Sequence, residues 1–176
     1  MHNELTPKDI ADMEKEIEYR KLVLRPQILD DVKEARAQGD LSENFEYYAA
    51  KQAKRKNDSR IRFLERMIRT AKVMEDKTAE DEAGVNKTVT VYIPEDDAEE
   101  SYTIVSTMRQ DSVHNLISVE SPLGKALLGH KVGEKLLIKV NDSYSYEVEI
   151  RKIEADSEAE DVKLRSFYIQ INVRYR

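Results

Sequence analysis

Two carboxylates three residues apart, Asp40 and Glu43, stand where the chain Arg36 Ala37 Gln38 Gly39 Asp40 Leu41 Ser42 Glu43 Asn44 interrupts two long helical patterns. Oxygen donors of this kind suit Mg²⁺, which keeps several waters and commonly takes only one or two protein carboxylates. Two carboxylates at a tip make half a site. They would hold the ion weakly alone, but could complete a two-metal site on a partner, where the second ion positions and activates a water. The same spacing also fits a second job: an acidic N-cap followed three residues later by Glu is a capping box, in which each side chain satisfies a free backbone donor. Spacing alone leaves both open.

The elements that must position the pair are legible in the apolar pattern. Thr6 and Pro7 read as N-cap and first residue of a helix whose stripe runs through Ile10, Met13, Ile17, Leu24, Ile28 and Val32. Pro26 falls inside it and predicts a kink near Arg25. Gly39 then ends the helix. A second helix is expected from about Ser42 to Met74, with Phe45, Ala49, Ala53, Phe63, Met67 and Ala71 inward and a polar middle from Lys54 to Arg60. Two rods of about 45 Å joined by a tight turn make an antiparallel coiled-coil hairpin.

The remaining chain changes period from helical to two. Strands are expected at 88–93, 101–107, 113–119, 135–140 and 143–153, with a short helix at 121–129 capped by Ser121 and stopped by Gly129. The fold class is thus α+β. The organisation is a hairpin over 1–76 with its tip at 39–44, an acidic linker at 77–87, an antiparallel sheet domain over 88–153 and an extension over 154–176.

Charge is distributed unevenly. The formal net charge is −6, yet 51–72 carries nine basic residues against two acidic ones, while 75–100 carries ten acidic residues against two lysines. One arm of the hairpin could attract phosphates although the whole molecule repels them, or it could be a solvated helix face. With no cysteine there is no disulfide framework or thiolate chemistry, and a reducing cytoplasm is the expected location. No run of eighteen apolar residues points to a membrane. His2, His114 and His130 lie apart without a carboxylate or second histidine at ligand spacing, and no Gly-rich phosphate loop or nucleophile elbow is present.

Two stretches carry a family resemblance. Ala35 Arg36, then Gly39 Asp40 Leu41 Ser42 Glu43 Asn44, Glu46 Tyr47 and Ala49 Ala50 Lys51 resemble the coiled-coil tip of the bacterial transcript cleavage factors GreA and GreB. Asn115 to Gly129, containing Ser121 Pro122 Leu123 Gly124 Lys125 Ala126 Leu127 Leu128, followed by Val132 Gly133, resembles the globular motif of that family, in its GreA-like form. The resemblance implies an FKBP-like C-terminal domain that docks on RNA polymerase through Ser121, Pro122, Leu123 and Gly124. It implies a hairpin that enters the polymerase secondary channel, and a chain that is not itself an enzyme. There Asp40 and Glu43 would help bind a Mg²⁺ shared with polymerase, none being held tightly by the chain alone. Arg36 and Lys51, extended by Lys54, Arg55 and Lys56, would face the backtracked RNA 3′ end. The implied state is a cytoplasmic monomer. Phe45 departs from the small residue common at its position, and 154–176 lies beyond the usual end. A channel-binding inhibitor without cleavage activity, and a chaperone or prolyl isomerase, remain as rival readings.

Overall fold

The structure is a computed structural model and describes residues 3–39 and 44–165. It divides into two compact units, one formed by Ile10–Ala71 and the other by Glu4–Asp9 together with the chain from Lys72 onward.

The first strand, β1 (Asn3–Leu5), pairs with β2 (Ala71–Val73) in a two-stranded sheet. Helix α1 (Pro7–Tyr19) starts as the sequence predicts, and more firmly. The Thr6 hydroxyl accepts from the Asp9 amide at 3.1 Å while the Asp9 carboxylate accepts from the Thr6 amide at 2.9 Å, a reciprocal box at the helix start.

The break expected near Arg25 is a π-helical turn over Arg20–Leu24, after which α2 (Arg25–Ala37) continues the rod. Pro26 has no amide to donate four residues back. The Arg25 amide therefore reaches five residues back, to the Arg20 carbonyl. Helix α3 (Phe45–Arg69) is shorter than its apolar pattern suggests, because Ala71–Val73 leaves it for β2.

The inner face of α3 is also rotated from the sequence reading. Tyr47, Asn57, Arg60, Ile61, Leu64 and Met67 are buried, whereas Phe45 and Ala49 are exposed. The polar middle is not covered merely by alkyl stems. Glu16 accepts from Arg60 at 2.9 and 3.0 Å and from Arg20 at 2.7 Å. Asn57 accepts from Arg20 Nη1 at 3.1 Å and donates to the Arg20 carbonyl at 3.3 Å, so it braces the π turn. Arg25 and Lys54 share Asp58 at 2.8 and 3.1 Å.

The second unit holds a five-stranded sheet in the order β5-β4-β3-β7-β6, from β3 (Lys87–Ile93), β4 (Ala98–Val105), β5 (Leu116–Ser118), β6 (Lys135–Lys139) and β7 (Ser145–Ala155). The four longer strands are antiparallel, as expected; β5 joins β4 in parallel. The expected 113–119 strand is reduced by a 3₁₀ turn at Ser112–His114 and by Asn115, whose φ of +55° turns the chain just ahead of β5.

Val89, Val91, Ile104, Ile138, Val148 and Ile150 form one sheet face, covered by Leu123 and Leu127 of α4 (Pro122–Leu127). The segment read as a linker contributes Ala83 and Val85 to this core. It folds over Lys87, whose ammonium donates to Thr78 Oγ1 and the Ala79 and Glu82 carbonyls at 3.1, 2.6 and 2.8 Å. Gly84 permits the fold, since a Cβ there would lie 2.0 Å from Thr78 Oγ1.

A smaller cluster of Val105, Leu116, Ala159 and Val162 brings the start of the C-terminal extension onto the sheet. Beside it Arg109 donates to Asp9 at 2.5 Å and to the Val162 carbonyl, with both charged side chains buried. The strand-like pattern of the tail lies mostly in 166–176, outside the described residues.

Candidate functional site

At the end of the hairpin α2 closes on Gln38, and Gly39 takes a φ of +114°, the turn its lack of a Cβ allows. Asp40, Leu41, Ser42 and Glu43 lie outside the described residues. On the far side Asn44 caps α3: its Oδ1 accepts from the Tyr47 amide at 3.0 Å, and its Nδ2 donates to the Ala35 carbonyl at 2.7 Å. One carboxamide therefore starts α3 and ties it to the end of α2. The N-cap residue of α3 is thus Asn44, while the capping box weighed for Asp40 and Glu43 falls outside the described residues. Asn followed by a helix-forming run was the available signal.

Tyr47 is the centre of the basic cluster. The residue is 9% exposed, with Arg36 Cζ 5.8 Å and Lys51 Nζ 5.6 Å from its ring centroid. The Arg36 guanidinium bonding the phenol, aided by the Lys51 charge, holds the Tyr47 hydroxyl below its usual pKa. Arg36 of α2 and Lys51 of α3, named separately from the sequence, thus both lie over the Tyr47 ring, a cation–π arrangement. Lys54 turns instead to Asp58, and Arg55 and Lys56 are exposed. Another face of the hairpin carries the opposite sign, with Asp31, Glu34 and Glu46 around a groove floored by Ala35, Ala49 and Ala53.

In the second unit Ser121 is the cap of α4, accepting from the Gly124 amide at 3.0 Å and donating to the Ser118 carbonyl at 2.7 Å. Gly124 is fixed by crowding, because a Cβ there would sit 2.1 Å from the Ser118 carbonyl oxygen. Leu123 is in the core. Of the four residues expected at a docking surface, Leu123 and Gly124 are buried, while Ser121 is partly accessible and Pro122 exposed.

The exposed histidines do have carboxylate partners, contrary to the sequence reading. His114 pairs with Asp111 at 2.7 Å and His130 with Glu134 at 2.7 Å. Each is a single surface pair; His2 is outside the described residues. No helix among the described residues is long and apolar enough to cross a membrane.

A helical hairpin, and a five-stranded sheet with one short helix packed on it, define a two-unit α+β protein. Residues 3–73 match the family model described as "Transcription elongation factor, N-terminal", and residues 77–155 match "Transcription elongation factor, GreA/GreB, C-term". The chain belongs to the GreA/GreB family of transcription elongation factors, and within it is GreA-like.

It is 43% identical over 137 residues to the transcription elongation factor GreA of Caldanaerobacter subterraneus subsp. tengcongensis, covering 77% of this chain and 87% of that one. To the GreA of Streptococcus pneumoniae it is 41% identical over 151 residues, covering 85% and 94%. Among solved structures, GreA factor homolog 1 of Thermus thermophilus aligns with a TM-score of 0.41 at 24% identity, over 88% of this chain and 100% of that one.

Proposed function

We propose that this chain stimulates the Mg²⁺-dependent cleavage of backtracked RNA by bacterial RNA polymerase, entering the secondary channel with its hairpin and leaving catalysis to the polymerase active site. The observation that carries this reading is the division of labour at the tip. Asn44 caps α3 and ties it to the end of α2, and Arg36 and Lys51 converge on Tyr47 nearby.

Carboxylate oxygens are the donors a hard Mg²⁺ takes, and two of them fit an ion whose remaining ligands come from polymerase, water and RNA phosphate. The ion, when bound, would lower the pKa of the attacking water and neutralise charge on the phosphate. Asp40 and Glu43 would hold and orient that water. Arg36 and Lys51 would attract the RNA backbone without reading its sequence. Docking through the second unit would use the accessible Ser121 and Pro122. The protein would act as a cytoplasmic monomer, where polymerase and nascent RNA are found.

The test is RNA cleavage in a stalled, backtracked elongation complex with Mg²⁺. The native chain is expected to accelerate cleavage. The Asp40→Asn, Glu43→Gln double variant is expected to lose that acceleration while still competing with the native chain for polymerase. A native chain that binds the complex and slows it, without cleavage, would replace this reading with a channel-binding inhibitor.

A further inference from the structure

Phe45 is the first residue of α3 and the most exposed large apolar side chain among the described residues, at 88%. The buried position at the start of α3 is filled by Tyr47 instead. Tyr48, three residues on and 53% exposed, lies on the same outward face of the helix. That face continues through Lys51, Gln52, Arg55, Lys56, Arg62 and Arg66, all exposed.

Two of the three acidic residues of α3 are held in ion pairs. Glu46 borders the alanine-floored groove, Asp58 is held by Arg25 and Lys54, and Glu65 is held by Lys21 at 2.6 Å. Tyr48 also meets Tyr47 edge to face at 5.8 Å, so the aromatic surface runs into the Arg36–Tyr47–Lys51 cluster.

We propose that Phe45, with Tyr48 beside it, is a stacking platform for an unpaired nucleobase of the RNA, while the cations on the same face hold its phosphates. The inference rests on the function proposed above and adds a contact to the base, where that reading has contacts only to the backbone. Single-stranded RNA is bound in this way, with splayed bases on aromatic faces and a basic track for the backbone. An apolar pocket on a protein partner would also cover Phe45. It would not explain why Lys51, Arg55, Lys56, Arg62 and Arg66 follow it along the exposed helix. Phe45 lies two residues after Glu43 in the chain, so a base stacked on it would fix the RNA 3′ segment close to the proposed metal-binding pair.

The test uses the full chain and backtracked complexes whose RNA ends either in a normal nucleotide or in an abasic one. Phe45→Ala is expected to raise the concentration for half-maximal cleavage by about tenfold on the normal RNA, and to be indistinguishable from the native chain on the abasic RNA. Phe45→Trp should restore native behaviour and Phe45→Leu should not. With 2-aminopurine at the RNA 3′ end, binding of the native chain should quench fluorescence and binding of Phe45→Ala should not. That second signal requires entry but not cleavage, so it separates failure of the platform from failure of the cleavage reading. An equal loss on normal and abasic RNA, or full activity in Phe45→Leu, would overturn the proposal and assign Phe45 to an apolar surface of polymerase. So would native activity in Phe45→Ala.

Discussion

Asn44 uses both ends of one carboxamide, the oxygen for the Tyr47 amide and the nitrogen for the Ala35 carbonyl, and so the two helices are joined immediately behind the tip. Replacing it by alanine removes a helix cap and an interhelical bond together. The expected cost is about 1–2 kcal/mol, seen as a lower midpoint in urea denaturation followed by helical circular dichroism. The Asp40→Asn, Glu43→Gln double variant is expected to cost less than about 0.5 kcal/mol in the same assay, as substitutions away from a structural feature do. A larger loss from the double variant than from Asn44→Ala would return the capping role to the acidic pair. Phe45→Ala belongs with the double variant: its side chain is almost wholly in water, and the fold should not register its loss.

The hairpin as an element is held by an unusual seam. Its apolar contacts are interrupted where the π turn meets α3, and Glu16, Arg20, Asn57 and Arg60 fill the gap with charge-assisted bonds. Burial by itself would raise the pKa of the Glu16 carboxyl, but the Arg60 and Arg20 guanidiniums outweigh it and hold it below its ordinary value. A carboxylate with a depressed folded-state pKa contributes stability above its unfolded value, about 4.3, and loses that contribution as pH falls through the lower folded value. The hairpin should therefore weaken in acid. Glu16→Ala, which takes the carboxylate away from buried Arg60, is expected to destabilise it by about 3 kcal/mol at pH 7. The difference from the native chain should narrow as a series of urea titrations is taken down to pH 3. A deficit that stays constant with pH would assign the loss to packing.

At the scale of the whole molecule, the chain contributes to the second unit twice, through Glu4–Asp9 and again from Lys72. What the first passage supplies is Asp9, fully buried against Arg109. A buried pair broken on one side is costly, whereas replacing both partners by apolar groups is often neutral. Asp9→Asn is expected to lower stability by about 3 kcal/mol, and Asp9→Leu with Arg109→Met to recover most of it, as judged by thermal denaturation. A fragment beginning at Lys72 keeps Arg109 without Asp9, so it should melt well below the temperature at which this unit melts in the full chain.

How far the sequence could be read depended on the range of the interactions involved. Thr6, Pro7, Gly39, Ser121 and Gly129 mark ends that are set by backbone donors and positive φ within a few residues, and each mark coincides with a boundary in the structure. The period-two strands were legible because one face of each is buried. Failures began where a choice depended on a distant residue. Phe45 and Tyr47 are both aromatic and both at the start of α3; which one faces inward depends on where Arg36 and Ala35 of α2 lie. Lys87 and Gly84 looked like parts of an acidic linker because their partners, three loop oxygens and a crowded hydroxyl, are assembled only by folding.

The sequence by itself determined the hairpin and the sheet unit and the family, because those rest on local periodicity and on motifs of fixed spacing. Only the tertiary structure decided that Asn44 caps α3 and that Tyr47 gathers Arg36 and Lys51. It alone decided that β5 joins its neighbour in parallel and that Asp9 belongs to the second unit. Each of these is a bond or a pairing between groups far apart along the chain, or a competition among neighbouring residues for one donor, and its outcome exists only once the helices and strands are packed.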